Sequence, residues 1–134
     1  MGVIVVGYVP KPEGEAALRL AAEEAKLRGA SLVVVNSHRG GRDLDETESA
    51  RTESHLDEVR AQLAAAGIEH EVRQLVRGKD PAEDLDTVAA QVSADIIIIG
   101  LRRRSPVGKL ILGSNAQRVL LDAPCPVLAV KAAE

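Results

Sequence analysis

Four short apolar runs and one alternating stretch punctuate the chain, and between them apolar residues recur every three or four positions. The second of these periods is that of an amphipathic helix, and the uninterrupted runs are strand-like. The most uniform run is Asp95-Ile96-Ile97-Ile98-Ile99-Gly100. Four consecutive isoleucines are too few for a helix and show no polar alternation, which predicts a strand buried on both faces, as in a parallel sheet. Gly2 to Gly7 predicts the first strand, Ser31 to Asn36 a second buried one and Val127 to Val130 the last. Ile68 to Val76 alternates apolar with polar residues, so it predicts a more exposed, edge-like strand.

The intervening segments read as helices. Glu13 to Leu27 follows Pro12, carries Glu13 and Glu15 in its first turn, and places Ala17, Leu20, Ala21 and Leu27 on one predicted face. Arg28 and Gly29 stand where a helix C-terminus favours a cation and a glycine. A longer polar helix is expected from about Asp43 to Ala66, with Leu56, Val59 and Leu63 at helical spacing and Gly67 at its end. Asp80-Pro81-Ala82-Glu83 announces the third helix, with Asp as N-cap, Pro at N1 and Glu at N3. Leu85, Val88, Ala89 and Val92 form its buried stripe, and a short fourth helix runs from Ser114 to Leu121.

Strict alternation of five strands with four helices defines an α/β chain. Right-handed crossovers turn it into an open, doubly wound parallel five-stranded sheet, expected in the order 3-2-1-4-5, within one domain spanning residues 1–134. Ligands of such sheets bind at the carboxyl ends of the strands, where the strand order reverses. In this order the reversal lies between strands one and four. The loops Gly7 to Pro12 and Gly100 to Gly113 meet there.

Composition narrows the function. Hydrophobic residues make up 46% of the chain but aromatics only 1%, with no Phe or Trp, so the core must be aliphatic. A net charge of −3 offers no general basic face to nucleic acid. The single cysteine excludes an internal disulfide and fits a reducing compartment. No apolar run approaches the roughly 20 residues needed to span a membrane, and Met1-Gly2 leads straight into a strand-like run. A cytoplasmic protein is the expectation.

Candidate chemistry concentrates after the isoleucine run. Gly100 ends the strand where the backbone must turn or be approached closely. Leu101-Arg102-Arg103-Arg104-Ser105-Pro106-Val107-Gly108 is a basic loop, and Gly113-Ser114-Asn115 opens the last helix. A strand, a cationic loop and a helix N-terminus together suit an anion, with phosphate the first candidate. Ser114 with Gln117 also forms a Ser-x-x-Gln capping box. The arginines are either a solvated loop or donors of charge-assisted bonds to phosphate. Tyr8, the one aromatic, stands at the crevice mouth and either packs against a base or covers an edge of the core. Cys125, between two prolines, reads as structural, and His38, His55 and His70 lack metal-ligand spacing. There is no serine nucleophile elbow, no Walker loop and no Gly-x-Gly-x-x-Gly after strand one.

Nearly end to end, the chain resembles the universal stress protein family. The anchors are Val-Ile-Val-Val-Gly at strand one, Glu-Ala-Ala-Leu-Arg-Leu-Ala in the first helix, Asp-Pro-Ala-Glu, and Cys-Pro-Val-Leu-Ala-Val near the end. The resemblance implies a Rossmann-like fold of the adenine nucleotide alpha hydrolase-like kind. It also implies a loop of Gly, two residues, Gly, nine residues, Gly, then Ser or Thr, that holds ATP or AMP. Gly100, Gly113 and Ser114 fall on that spacing, whereas Arg103 stands at the second glycine. Val9 stands where nucleotide-binding relatives usually carry an Asp that contacts adenosine. The nucleotide site so implied comprises Gly7, Tyr8, Val9, Gly100, Arg102, Arg103, Gly113, Ser114 and Asn115, with no catalytic or metal-ligating residue. A homodimer through strand 127–130 is implied as well. Three readings follow: an adenine-nucleotide-binding stress protein, a nucleotide-free dimeric scaffold favoured by Val9 and Arg103, and, least supported, a slow ATP hydrolase.

Overall fold

The computed structural model describes residues 2–39, 46–78, 80–101 and 114–132. Five strands and four helices alternate: β1 (Val3–Gly7), α1 (Pro12–Arg28), β2 (Ser31–Arg39), α2 (Glu46–Ala65), β3 (His70–Gly78), α3 (Pro81–Gln91), β4 (Ile96–Leu101), α4 (Ser114–Asp122) and β5 (Val127–Lys131). The strands form one parallel sheet in the order β3-β2-β1-β4-β5, as expected from the sequence. In the centre Ile4, Val5 and Val6 pair with Leu32, Val33 and Val34 on one side and with Ile96, Ile97 and Ile98 on the other.

Pleating divides these uniform strands between two cores. Ile4, Val6, Leu32, Val34, Ile96 and Ile98 face α1 and α2, whereas Val5, Val33, Val35, Ile97 and Ile99 face α3 and α4. An all-apolar strand is thus what a sheet covered on both faces requires.

Helix ends follow local chemistry. Asp80 Oδ1 accepts the Glu83 N–H at 2.9 Å, capping α3 as its Asp-Pro-x-Glu sequence predicts. Gly29 (φ 62°) and Gly67 (φ 72°) adopt the left-handed conformation that lets the chain leave α1 and α2. At the second exit Gly67 N–H donates to Ala64 O and Ile68 N–H to Leu63 O, both at 3.0 Å. This Schellman turn buries Ile68 against Leu63 and delays β3 to His70, two residues beyond the start its alternation predicts. Ser93 makes the equivalent turn after α3 at φ 54°, without a glycine.

One predicted face is corrected. Leu27 is 82% exposed, because the buried stripe of α1 runs through Gly14, Leu18, Ala21 and Ala25, and Leu27 lies on the opposite side from Leu18. The start expected for the second helix near Asp43 lies outside the described residues.

Candidate functional site

β1 and β4 lie side by side, yet their following helices pack on opposite faces of the sheet. The chain therefore parts between them at the carboxyl edge, and a cavity of about 350 Å³ opens there. Its floor is formed by strand ends: Gly7, Tyr8 and Val9 after β1, Val35 and Ser37 on β2, and Ile99, Gly100 and Leu101 on β4. Its walls are the first turns of three helices, namely Glu13 and Gly14 of α1, Pro81 and Ala82 of α3, and Asn115 and Ala116 of α4. In a parallel sheet every helix that follows a strand starts at this edge, so the positive ends of three helix dipoles border one cavity.

Five of the residues singled out in the sequence, Gly7, Tyr8, Val9, Gly100 and Asn115, line this space together. Ser114 begins α4. Arg102, Arg103 and Gly113 lie outside the described residues, as does the Ser114 side chain.

Tyr8 is 2% exposed and packs into the core beneath α1 and α2. Its hydroxyl donates to Glu15 Oε1 at 2.8 Å. Burial, and then that carboxylate, hold its pKa well above the ordinary phenol value. Val9, by contrast, turns an apolar side chain 37% exposed onto the cavity.

Gly100 has a packing reason of its own. A Cβ there would lie 2.5 Å from the carbonyl carbon of Glu13, so only glycine lets the end of β4 pass beneath the first turn of α1.

The sequence marked the starts of α1 and α3 as helix entries but assigned none of Glu13, Gly14, Pro81, Ala82 and Ser37 to the site. Ser37 Oγ donates to Asp84 Oδ2 at 2.6 Å, tying β2 to α3 beside the cavity. The signal for them is topological: once the order 3-2-1-4-5 is accepted, β2 and α3 must reach the same edge as β1 and β4.

The wall formed by α3 and α4 is held by Asp80, whose second oxygen accepts from Arg118 Nη1 at 2.7 Å. The capped Glu83 N–H and then Arg118 hold the Asp80 carboxyl below its usual range. Farther along α3, Asp86 keeps Oδ1 buried without a hydrogen-bond partner among the described residues. Desolvation, then the charge of Asp122, raises its pKa to about 6. Desolvation also raises the Cys125 thiol, which accords with a structural role. Among the described residues no group of three or more His, Cys, Asp or Glu is arranged to hold a metal ion. Nor is any described helix long and apolar enough to cross a membrane.

A doubly wound sheet with a crevice bordered by helix N-termini at its reversal point defines a Rossmann-like α/β protein. The profile of the universal stress protein family matches residues 1–131, and the chain belongs to that family. A universal stress protein of Mycolicibacterium smegmatis is 46% identical over 129 residues, covering 96% of this chain and 97% of that one. A universal stress protein structure from Archaeoglobus fulgidus matches with a TM-score of 0.82 at 40% identity, covering 98% of each chain. A further structure from that organism, solved in complex with dAMP, matches with a TM-score of 0.75 at 34% identity, again over 98% of each chain.

Proposed function

We propose that this protein is an adenine-nucleotide-binding stress protein of the cytoplasm, taking ATP or AMP in the crevice between β1 and β4. The observation that carries the reading is the cavity of about 350 Å³ onto which the first turns of α1, α3 and α4 open. Its size falls within the range of small-ligand clefts, and the helix N-termini favour phosphate. The relative solved with dAMP, 34% identical over nearly the whole chain, supports the same ligand class. In this reading the phosphates lie at the start of α4, by Ser114 and Asn115, with Arg102, Arg103 and Gly113 of the preceding loop. The nucleoside lies towards Gly7, Tyr8 and Val9. The role is binding rather than catalysis: the only charged side chains among the described lining residues are Lys11 and Glu13, with no histidine to act as a base. The working unit is a homodimer through β5.

The exposed, apolar Val9 favours a second reading, a dimeric interaction protein without nucleotide. Thermal shift against ATP, ADP, AMP and cyclic AMP separates the two. A ligand present at about 100 times its Kd stabilises the fold by about 2.7 kcal/mol, a rise of several degrees. No rise with any of them at millimolar concentration overturns the nucleotide reading and leaves the second.

A further inference from the structure

The carbonyl of Tyr8 is where β1 passes the chain to the cavity wall. Tyr8 N–H donates to Val35 O at 2.9 Å, extending the β1–β2 ladder by one residue. The Tyr8 carbonyl accepts from Asn36 Nδ2 at 3.0 Å. Next, Lys11 N–H donates to Val9 O at 2.8 Å. The first turn of α1 presses on Val9 at Gly14, where a Cβ would lie 2.7 Å from the Val9 nitrogen. Four backbone polar groups of this segment, the Tyr8 N–H and carbonyl, the Val9 carbonyl and the Lys11 N–H, are therefore satisfied internally, and Pro10 has no N–H. Val9, 37% exposed, and Lys11 are the residues by which this segment lines the cavity beyond Tyr8.

Asn36 is the unusual element in this arrangement. It is fully buried, at 0% exposure, in a strand whose neighbours Leu32 to Val35 are apolar. Its Oδ1 has no hydrogen-bond partner among the described residues. A buried amide with one idle end is less stable than an aliphatic side chain of similar size. The orientation is also constrained, since turning the amide over would set Oδ1 against the Tyr8 carbonyl, acceptor to acceptor. What the position gains is the N–H donor.

We propose that Asn36 is a positioning residue: its amide, by holding the Tyr8 carbonyl, sets the Val9–Lys11 wall and with it the fit of the nucleoside part of the ligand. This rests on the nucleotide reading above for its ligand, but not for the bond itself. Asn36→Leu keeps roughly the volume and removes the donor without burying a charge, and Asn36→His restores a ring N–H.

Affinity for adenosine, AMP and inorganic phosphate is measured on each variant, together with amide hydrogen exchange of the unliganded protein. Loss of the donor is expected to weaken adenosine and AMP alike, by about tenfold, and to leave phosphate unchanged. Exchange should accelerate locally at Tyr8 and Lys11, and Asn36→His should recover part of the affinity. Unaltered exchange at Tyr8 and Lys11 in Asn36→Leu overturns the proposal. So does an equal loss for phosphate and AMP with uniformly faster exchange, which marks a merely structural residue. If the wild-type protein binds neither adenosine nor AMP, the nucleotide reading falls, and exchange at Tyr8 and Lys11 still decides whether Asn36 holds the wall.

Discussion

Gly100 at the end of β4 lies directly beneath the Glu13 carbonyl of α1, so close that a Cβ at position 100 would stand 2.5 Å from the Glu13 carbonyl carbon. One backbone is pressed against another, so no side-chain rotation can relieve the contact. Gly100→Ala is therefore expected to destabilise the fold by about 1–3 kcal/mol, the usual magnitude of overpacking, with or without ligand. Urea unfolding of the unliganded protein measures it. A variant as stable as the wild type would show that the contact relaxes at no cost, and Gly100 would revert to a purely ligand-facing role.

That contact marks the limit of what the sequence discloses. Elements written in local chemistry were legible: the isoleucine run as a doubly buried strand, Asp80-Pro81-x-Glu83 as a helix start, Gly29 and Gly67 as helix ends. Alternation of element types then led to the sheet order. The crevice followed from that order, and Gly7, Tyr8, Val9, Gly100 and Asn115 do meet along it. What stayed hidden depends on contacts between distant segments. The reason for Gly100 sits on α1 and the partner of Asn36 sits after β1, whereas Tyr8 takes the core-covering one of its two sequence alternatives, with Glu15 as a partner the sequence did not name. Leu27 misled because one leucine matching a helical spacing says nothing of which side the sheet occupies.

Asp86 makes stability depend on pH in the direction opposite to that of a salt-bridged carboxylate. Its pKa is raised from 3.8 to about 6 by burial and by Asp122, with Arg118 opposing and Asp80 adding to the rise. Between pH 4 and 6 the native state holds a proton that the unfolded chain has released, so this residue's contribution improves as pH falls from 7 towards 4. Above pH 6 the ionised carboxylate costs about 1–2 kcal/mol, allowing for solvent screening at the helix seam. Asp86→Asn should therefore stabilise the protein at pH 7.5 by about that amount and have little effect at pH 4.5. Urea midpoints of both proteins at the two pH values test this, and equal gains at both would refute the shifted titration.

Val9 tests the nucleoside end of the crevice. It is part of the cavity wall, and an aspartate there would bring a carboxylate within reach of ribose hydroxyls or a base amine. A hydrogen bond to a charged group contributes about 1.5–3 kcal/mol, so Val9→Asp is expected to tighten adenosine at least about tenfold. Calorimetric titration with adenosine and AMP is the check. Unchanged affinity for both, in a variant that folds normally, would remove the nucleoside from this wall.

The edge strand β5 tests assembly. It pairs with β4 on one side and, among the described residues, has no neighbour in the sheet on the other. Its hydrogen-bonding direction is fixed at both ends: Pro126 O accepts from Ile97 N–H, and Ala132 N–H donates to Leu101 O, so both residues face β4. Backbone groups alternate along a strand, which points Leu128 and Val130 inward to β4 and Ala129 outward to the free edge. A two-fold axis would pair that edge antiparallel with its own copy. Ala129→Pro removes the outward donor and should give a folded monomer, since an edge strand tolerates proline on its unpaired side. Leu128→Pro, by contrast, breaks the bond to β4 and should unfold the strand itself. Light scattering over a concentration series reads the mass of each. A wild-type protein of monomer mass at tens of micromolar, or an Ala129→Pro variant that remains a dimer, would rule out assembly through this edge.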